Sequence, residues 1–188
     1  MTAARRIQRP KEHEPDEAIR EFIAQHKSGI GKLIHGTFEI RTLEEAEKLS
    51  TMLANNYPAP ERVSTGIWEL ISNAIEHGNL EIDYAEKARL LENGLFADEV
   101  ARRLSVSPYA RRVATVEFKR TKRAIRIRVA DHGKGFDFAK YMNATTLSDG
   151  PNGRGILIAS KFSFDKVIYR SPGNIVDAII DLEAPAAA

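Results

Sequence analysis

Leu43, Ala46, Leu49 and Leu53 recur every three or four residues, the spacing of one helix face. Thr42 precedes them and Glu45 stands three positions later, the pattern of a capping box. The run Tyr57-Pro58-Ala59-Pro60 ends that helix. Val63, Ile67, Leu70, Ile71, Ala74 and Ile75 form a second apolar stripe, predicting a helix from Glu61 to about Gly78. Two shorter helices are expected over 84–94 and 97–106, with Gly94 between them. The period then drops to two. Ala114, Val116 and Phe118 alternate with Val113, Thr115 and Glu117, and Ile125, Ile127 and Val129 alternate with Arg126 and Arg128. That predicts an antiparallel hairpin, turning at 119–123, with one apolar face and one basic face in water.

Outside these segments, residues 31–40 read as a first strand, and 154–163 as a helix starting at a Gly-flanked turn. Residues 164–170 and 175–182 read as a last hairpin. Residues 1–30 are charged and weakly periodic, an N-terminal arm in which 16–27 could form a short helix. Residues 184–188 are a tail. The order βααααββ, loop, αββ places the chain in the α+β class.

Composition narrows the picture. A chain of 188 residues, 43% apolar and 29% charged, fits one globular domain with its own core. With no cysteine, disulfides and thiolate metal sites are excluded. The start is polar, with no secretory h-region, and no apolar run approaches a membrane span, so a cytoplasmic location is expected. A net charge of +2 gives no argument for nucleic acid.

Three segments stand out for chemistry. Glu69, Asn73 and His77 follow one another at four-residue spacing. Successive members are rotated by about 40° on a helix, so all three share a narrow arc. By itself such a row is either a solvated polar stripe or a site. Asp131 opens the segment DHGKGF just past an apolar strand, and Gly133 and Gly135 leave room for a close ligand; a plain Asp/Gly turn has the same composition. Gly153 and Gly155 flank Arg154 before an apolar helix, where free N–H groups attract phosphate; an ordinary helix start reads alike. A long loop rich in Gly, Asn and Asp joins the last two, and such loops are usually functional.

In this order the three segments resemble the GHKL (Bergerat-fold) ATPase superfamily. ELISNAIEHGN is similar to its N box, DHGKGF to its first glycine box and NGRGI to its second, with SPGNIVDAII similar to the closing turn and strand. The resemblance implies a two-layer sandwich: a mostly antiparallel mixed sheet with helices on one face, over residues 31–183. It implies ATP and Mg²⁺ as cofactors. Asn73 would be the metal ligand, its carboxamide oxygen being the hard donor Mg²⁺ prefers. Asp131 would accept from the adenine amino group. Gly133, Gly135 and Phe136 would shape the base pocket, His77 would buttress the site, and 138–152 would be the ATP lid. Gly153, Arg154 and Gly155 would lie against the phosphates. Glu69 would be the general base, activating either water or a partner's hydroxyl.

Within the superfamily, the short domain and the NAIEHG form look most like the anti-sigma-factor serine/threonine kinases. That implies as partners a small anti-sigma-factor antagonist and a sigma factor. One departure stands out, a helical insertion at 79–112. Similar insertions accompany response regulators and phosphatases, so a response-regulator partner, and a sequestration module without kinase activity, form the alternative. Homodimerisation stays open, and no direct nucleic-acid or membrane contact is expected. ADEVARRLSVSP imitates half of a helix-turn-helix, but YARR leads straight into a strand with no length for a recognition helix. Lys119, Arg120, Lys122 and Arg123 read as a solvated hairpin tip. His13, His26, His35 and His132 lack metal-ligand spacing.

Overall fold

The computed structural model describes residues 31–139 and 154–182. The N-terminal arm with its expected helix, residues 140–152 of the expected lid, Gly153 and the tail lie outside the described residues. Strand β1 (His35–Ile40) is followed by helices α1 (Leu43–Ala54) and α2 (Pro60–Asn73), then α3 (Tyr84–Glu92) and α4 (Phe96–Ser105). Strands β2 (Ala114–Arg120) and β3 (Ala124–Ala130) come next. The short helix α5 (Arg154–Leu157) and strands β4 (Lys166–Arg170) and β5 (Ile175–Asp181) complete the fold.

The sheet runs β1-β2-β3-β5-β4, and all four pairings are antiparallel, so no parallel pair is present among the described residues. β1 pairs with β2, about 80 residues downstream, because both present alternate apolar positions to one side. Ala114, Val116, Phe118, Ile125, Ile127, Val129, Val176, Ala178 and Ile180 form that side, each buried. α1 and α2 cover it with Leu49, Leu53, Val63, Ile67, Leu70 and Ile71. The result is the α+β two-layer arrangement that the alternation of periods implies.

Thr42 caps α1 as expected. Its hydroxyl accepts from the Glu45 N–H at 3.1 Å, and the Glu45 carboxylate accepts from the Thr42 N–H at 3.0 Å. The first strand is shorter than read, starting at His35 rather than Gly31. The opposite sheet face also differs. Arg126 and Arg128 do not stand as a free basic face: Arg126 pairs with Glu117 at 3.0 Å, and Arg128 meets Asp177 at 2.7 Å. Arg170 reaches the same Asp177 at 2.7 Å and Arg126 approaches it at 3.8 Å, so three arginines converge on a carboxylate that is only 2% exposed. The register decides this, because Arg128 lies opposite Asp177 on the neighbouring strand.

The second helix does not run straight to Gly78. After Asn73 it widens into a π-helical turn, Ala74–Asn79, closed by the Leu80 N–H donating to the Ile75 carbonyl at 2.8 Å. A second π-helical turn, Ile158–Ser163, extends α5. Such turns re-aim side chains relative to a 3.6-residue helix and often occur at functional sites. Here the first one falls inside the polar row.

Candidate functional site

Five chain segments converge on one cavity of about 480 Å³, α5 among them through Ile156. The end of α2 and its π turn supply Leu70, Asn73, Ala74, His77 and Gly78; the loop after β3 supplies Asp131, Lys134, Gly135 and Phe136. β4 and the turn into β5 add Tyr169, Gly173 and Asn174. The fourth segment, Glu81 to Tyr84, leads into α3. The volume lies in the range of small-molecule sites.

Asp131 sits at the floor. Its N–H donates to the Asn174 carbonyl at 3.0 Å, and the Asn174 side chain donates back to the Asp131 carbonyl at 3.1 Å. One carboxylate oxygen, Oδ1, accepts from the Gly133 N–H at 2.7 Å. Burial pushes the carboxyl up to about 6, against the pull of the Gly133 N–H and of His132 and Arg112. A carboxylate that is buried, held by backbone and has one oxygen still to place is suited to receive an amino group.

The glycines explain how close the elements come. A Cβ on Gly133 would stand 2.8 Å from the Cα of Gly78. Gly135 has φ +76°, and a Cβ there would meet the Pro172 carbonyl at 2.2 Å; Gly173, at φ +110°, is packed against the Phe136 backbone. Aromatic rings line the same end. Phe136 meets Tyr169 edge-on at 5.3 Å between centroids, and Phe138 stacks on Tyr169 at 5.5 Å.

The polar row is split by the structure. Asn73 and His77 line the cavity, whereas Glu69 stands one turn back, outside its lining. Glu69 packs against the start of α5 so closely that a Cβ on Gly155 would lie 2.0 Å from its Oε2. Burial pushes its carboxyl above the usual carboxylate range, Lys87 pulls it down and Glu76 pushes it further up. His77 is held below its ordinary value by burial, and its Nδ1–H donates to the Ile82 carbonyl. The imidazole is therefore neutral at pH 7, with Nε2 left as an acceptor. Arg154 and Gly155 open α5 beside Glu69.

The donor set fits a nucleotide with a hard cation. The Gly78 and Gly133 cradle at Asp131 leaves no space for side chains. Among the described residues no cluster of three His, Cys, Asp or Glu could hold a metal by itself. A carboxamide such as Asn73 completes a metal shell only when phosphate oxygens and waters supply the rest, the usual situation of Mg²⁺.

Several lining residues were not singled out from the sequence. Lys134 lies within the quoted DHGKGF, and Asn174 within SPGN, so position in those motifs could have found them. Asn79 is buried, and its Oδ1 accepts from the His132 N–H at 2.9 Å, joining the end of the π turn to the Asp131 loop. Tyr84 and Tyr169 carried no signal, since nothing local ties either to the three motifs.

No helix among the described residues is long and apolar enough to cross a membrane. The family model of the histidine kinase-like ATPase domain matches residues 39–180. No curated protein matches the chain.

Proposed function

The chain belongs to the histidine kinase-like ATPase domain family, and on that premise we propose that it is an ATP·Mg²⁺-dependent regulatory protein acting as a serine/threonine kinase of the anti-sigma-factor type. One observation supports the nucleotide site above all: Asp131, Asn73 and His77 line one cavity although residues 74–130, including the insertion, separate Asn73 from Asp131. Asp131 holds the base through its free oxygen, and Gly133, Gly135 and Phe136 shape the space around it. Asn73 would hold Mg²⁺, which would supply charge neutralisation at the phosphates. The start of α5 at Gly155 lies on the phosphate side, next to Glu69.

Glu69 is the general base of this reading. It takes the proton of a seryl or threonyl hydroxyl on a small antagonist protein as that oxygen attacks the terminal phosphorus and ADP leaves. Partial burial raises its basicity, and Lys87 works against that rise. Incubation with labelled ATP and the antagonist encoded beside its gene tests this. Transfer to the antagonist, lost in Glu69→Gln with ADP affinity kept, is the expected result. No transfer, with ADP affinity intact, would leave the alternative standing.

That alternative is a nucleotide-dependent sequestration module in a response-regulator or phosphatase pathway. It is favoured by a specific feature: the insertion, which reaches the cavity, offers a separate surface through which nucleotide occupancy would change partner affinity.

A further inference from the structure

The insertion is not a remote decoration. Its first residues, Ile82, Asp83 and Tyr84, line the cavity beside His77 and Gly78. The Ile82 carbonyl accepts from His77, and the Tyr84 ring packs against the imidazole, tilted at 49° with centroids 4.1 Å apart. His77 is thus clamped between two insertion residues. Next to it in sequence, Gly78 abuts the Asp131 carboxyl, where a Cβ would meet Cγ at 2.3 Å. Tyr84 therefore sits at the Asp131 end of the cavity. Tyr169 reports the same placement, because its hydroxyl, raised chiefly by burial, also feels both Tyr84 and Asp131.

Both apolar and polar contacts hold the insertion there: Ile82 and Val100 are buried in the core, and Leu90, Phe96, Leu104 and Tyr109 pack against it. Helix α3 has no fully buried residue and adds only the partly buried Leu90 to the core. Lys87 in α3 makes an ion pair with Glu76, a carboxylate only 3% exposed on the π turn that carries His77. Arg103 in α4 is also buried; it donates to the Leu80 carbonyl at 2.7 Å and pairs with Glu99 and Glu86. Arg112 closes the far end, donating to the Asn79 carbonyl at 2.9 Å and to Glu81 at 3.0 Å. The contacts at Glu76, Asn79 and Leu80 join the insertion to the π turn and the residue that closes it.

We propose that the helical insertion is the outer wall of the nucleotide site, with Tyr84 stacking on the base of the bound nucleotide and Lys87, through Glu76, positioning that wall. The inference rests on the nucleotide-site reading above and extends it to residues outside the three motifs. A phenol ring at the Asp131 end offers a planar surface to a planar heterocycle, and removing one stacking partner commonly weakens binding about tenfold or more. Lys87 touches no nucleotide; its role is to fix where Tyr84 stands.

Calorimetric titration of the full chain with ADP·Mg²⁺ and with adenosine tests this, using wild type, Tyr84→Ala, Tyr84→Leu, Tyr84→Phe, Lys87→Met and the Tyr84→Ala/Lys87→Met pair. Melting of the free proteins identifies any variant that fails to fold. Tyr84→Ala and Tyr84→Leu should weaken ADP and adenosine alike by about tenfold, while Tyr84→Phe stays near wild type. Lys87→Met should weaken ADP several-fold, and the pair should lose less than the two singles added, since both act through one wall. Wild-type affinity in folded Tyr84→Leu, or strictly additive losses in the pair, overturns the proposal while leaving the nucleotide site intact. Absence of ADP binding by the wild type itself overturns the nucleotide reading, and this inference with it.

Discussion

Gly78 lies so close to Asp131 that a methyl group on it would stand 2.3 Å from the carboxyl carbon and 2.4 Å from Oδ1. One residue thus links the N-box helix to the acid of the first glycine box. Neither side can yield freely, because Asp131 is fixed to Asn174 and Gly133 by backbone hydrogen bonds. Gly78→Ala should therefore displace the Asp131 carboxylate. ADP affinity should fall by about tenfold or more, the loss of one charge-assisted hydrogen bond. Titration of the folded variant checks it; unchanged affinity would remove Asp131 from the base site.

Asp131, as the proposed acceptor of the base, should make affinity depend on pH. Burial raises its carboxyl to about 6. Above that pH the carboxylate accepts from the base amino group; below it the proton occupies the acceptor. Adenosine, which has no phosphate to titrate, should bind about tenfold more weakly at pH 5 than at pH 7. A flat profile over that range would contradict the assignment. Asn73→Ala should abolish ADP·Mg²⁺ binding while the fold persists, as circular dichroism would show.

The open sheet face should respond to Asp177. Its substitution by Asn leaves Arg128 and Arg170 without their carboxylate. Because both arginines reach solvent, the loss should be about 1–3 kcal/mol, less than for a fully buried pair. Burial pushes the Asp177 carboxyl up, but Arg128 and Arg170 pull it below its ordinary value. The stabilisation is then complete above about pH 4, the unfolded value, and is lost as pH falls through the folded one. Urea unfolding at pH 7 and at pH 3 should show the variant's deficit shrinking in acid.

Thr42→Ala removes one half of the capping box on α1. The Glu45 N–H loses its acceptor while the Glu45 side chain keeps its bonds to Arg41 and Thr42. A loss of about 1 kcal/mol in chemical unfolding, with ADP affinity unchanged, is expected.

The site was legible unevenly. Asn73, Asp131, Gly133 and Gly135 belong to short motifs whose residue types follow from local needs: a carboxamide on a helix, an acid at a strand end, glycines at close approaches. The structure places all four on the cavity lining or beneath it. Glu69 shared the same arc as Asn73 and His77 in a regular helix, yet it stands outside the lining and against Gly155. The π turn after Asn73 separates His77 from a simple helical arc, and nothing in the 3.6-residue spacing announces it.

Sequence by itself determined the elements, because burial on one side imposes a period on each segment: Leu43, Ala46, Leu49 and Leu53 as a helix face, Ile125, Ile127 and Val129 as a strand face. It also picked out the acid, amide and glycine residues that the fold brings to the candidate site, since their chemistry is local. Tertiary structure alone decided the strand order β1-β2-β3-β5-β4 and the convergence of Arg128 and Arg170 on Asp177. It also decided the placement of Tyr84 against His77 and the ion pair of Lys87 with Glu76. The physical reason is that these are contacts between segments far apart in the chain. They depend on which faces meet once the apolar stripes have been buried, and no periodicity within one segment records its partner.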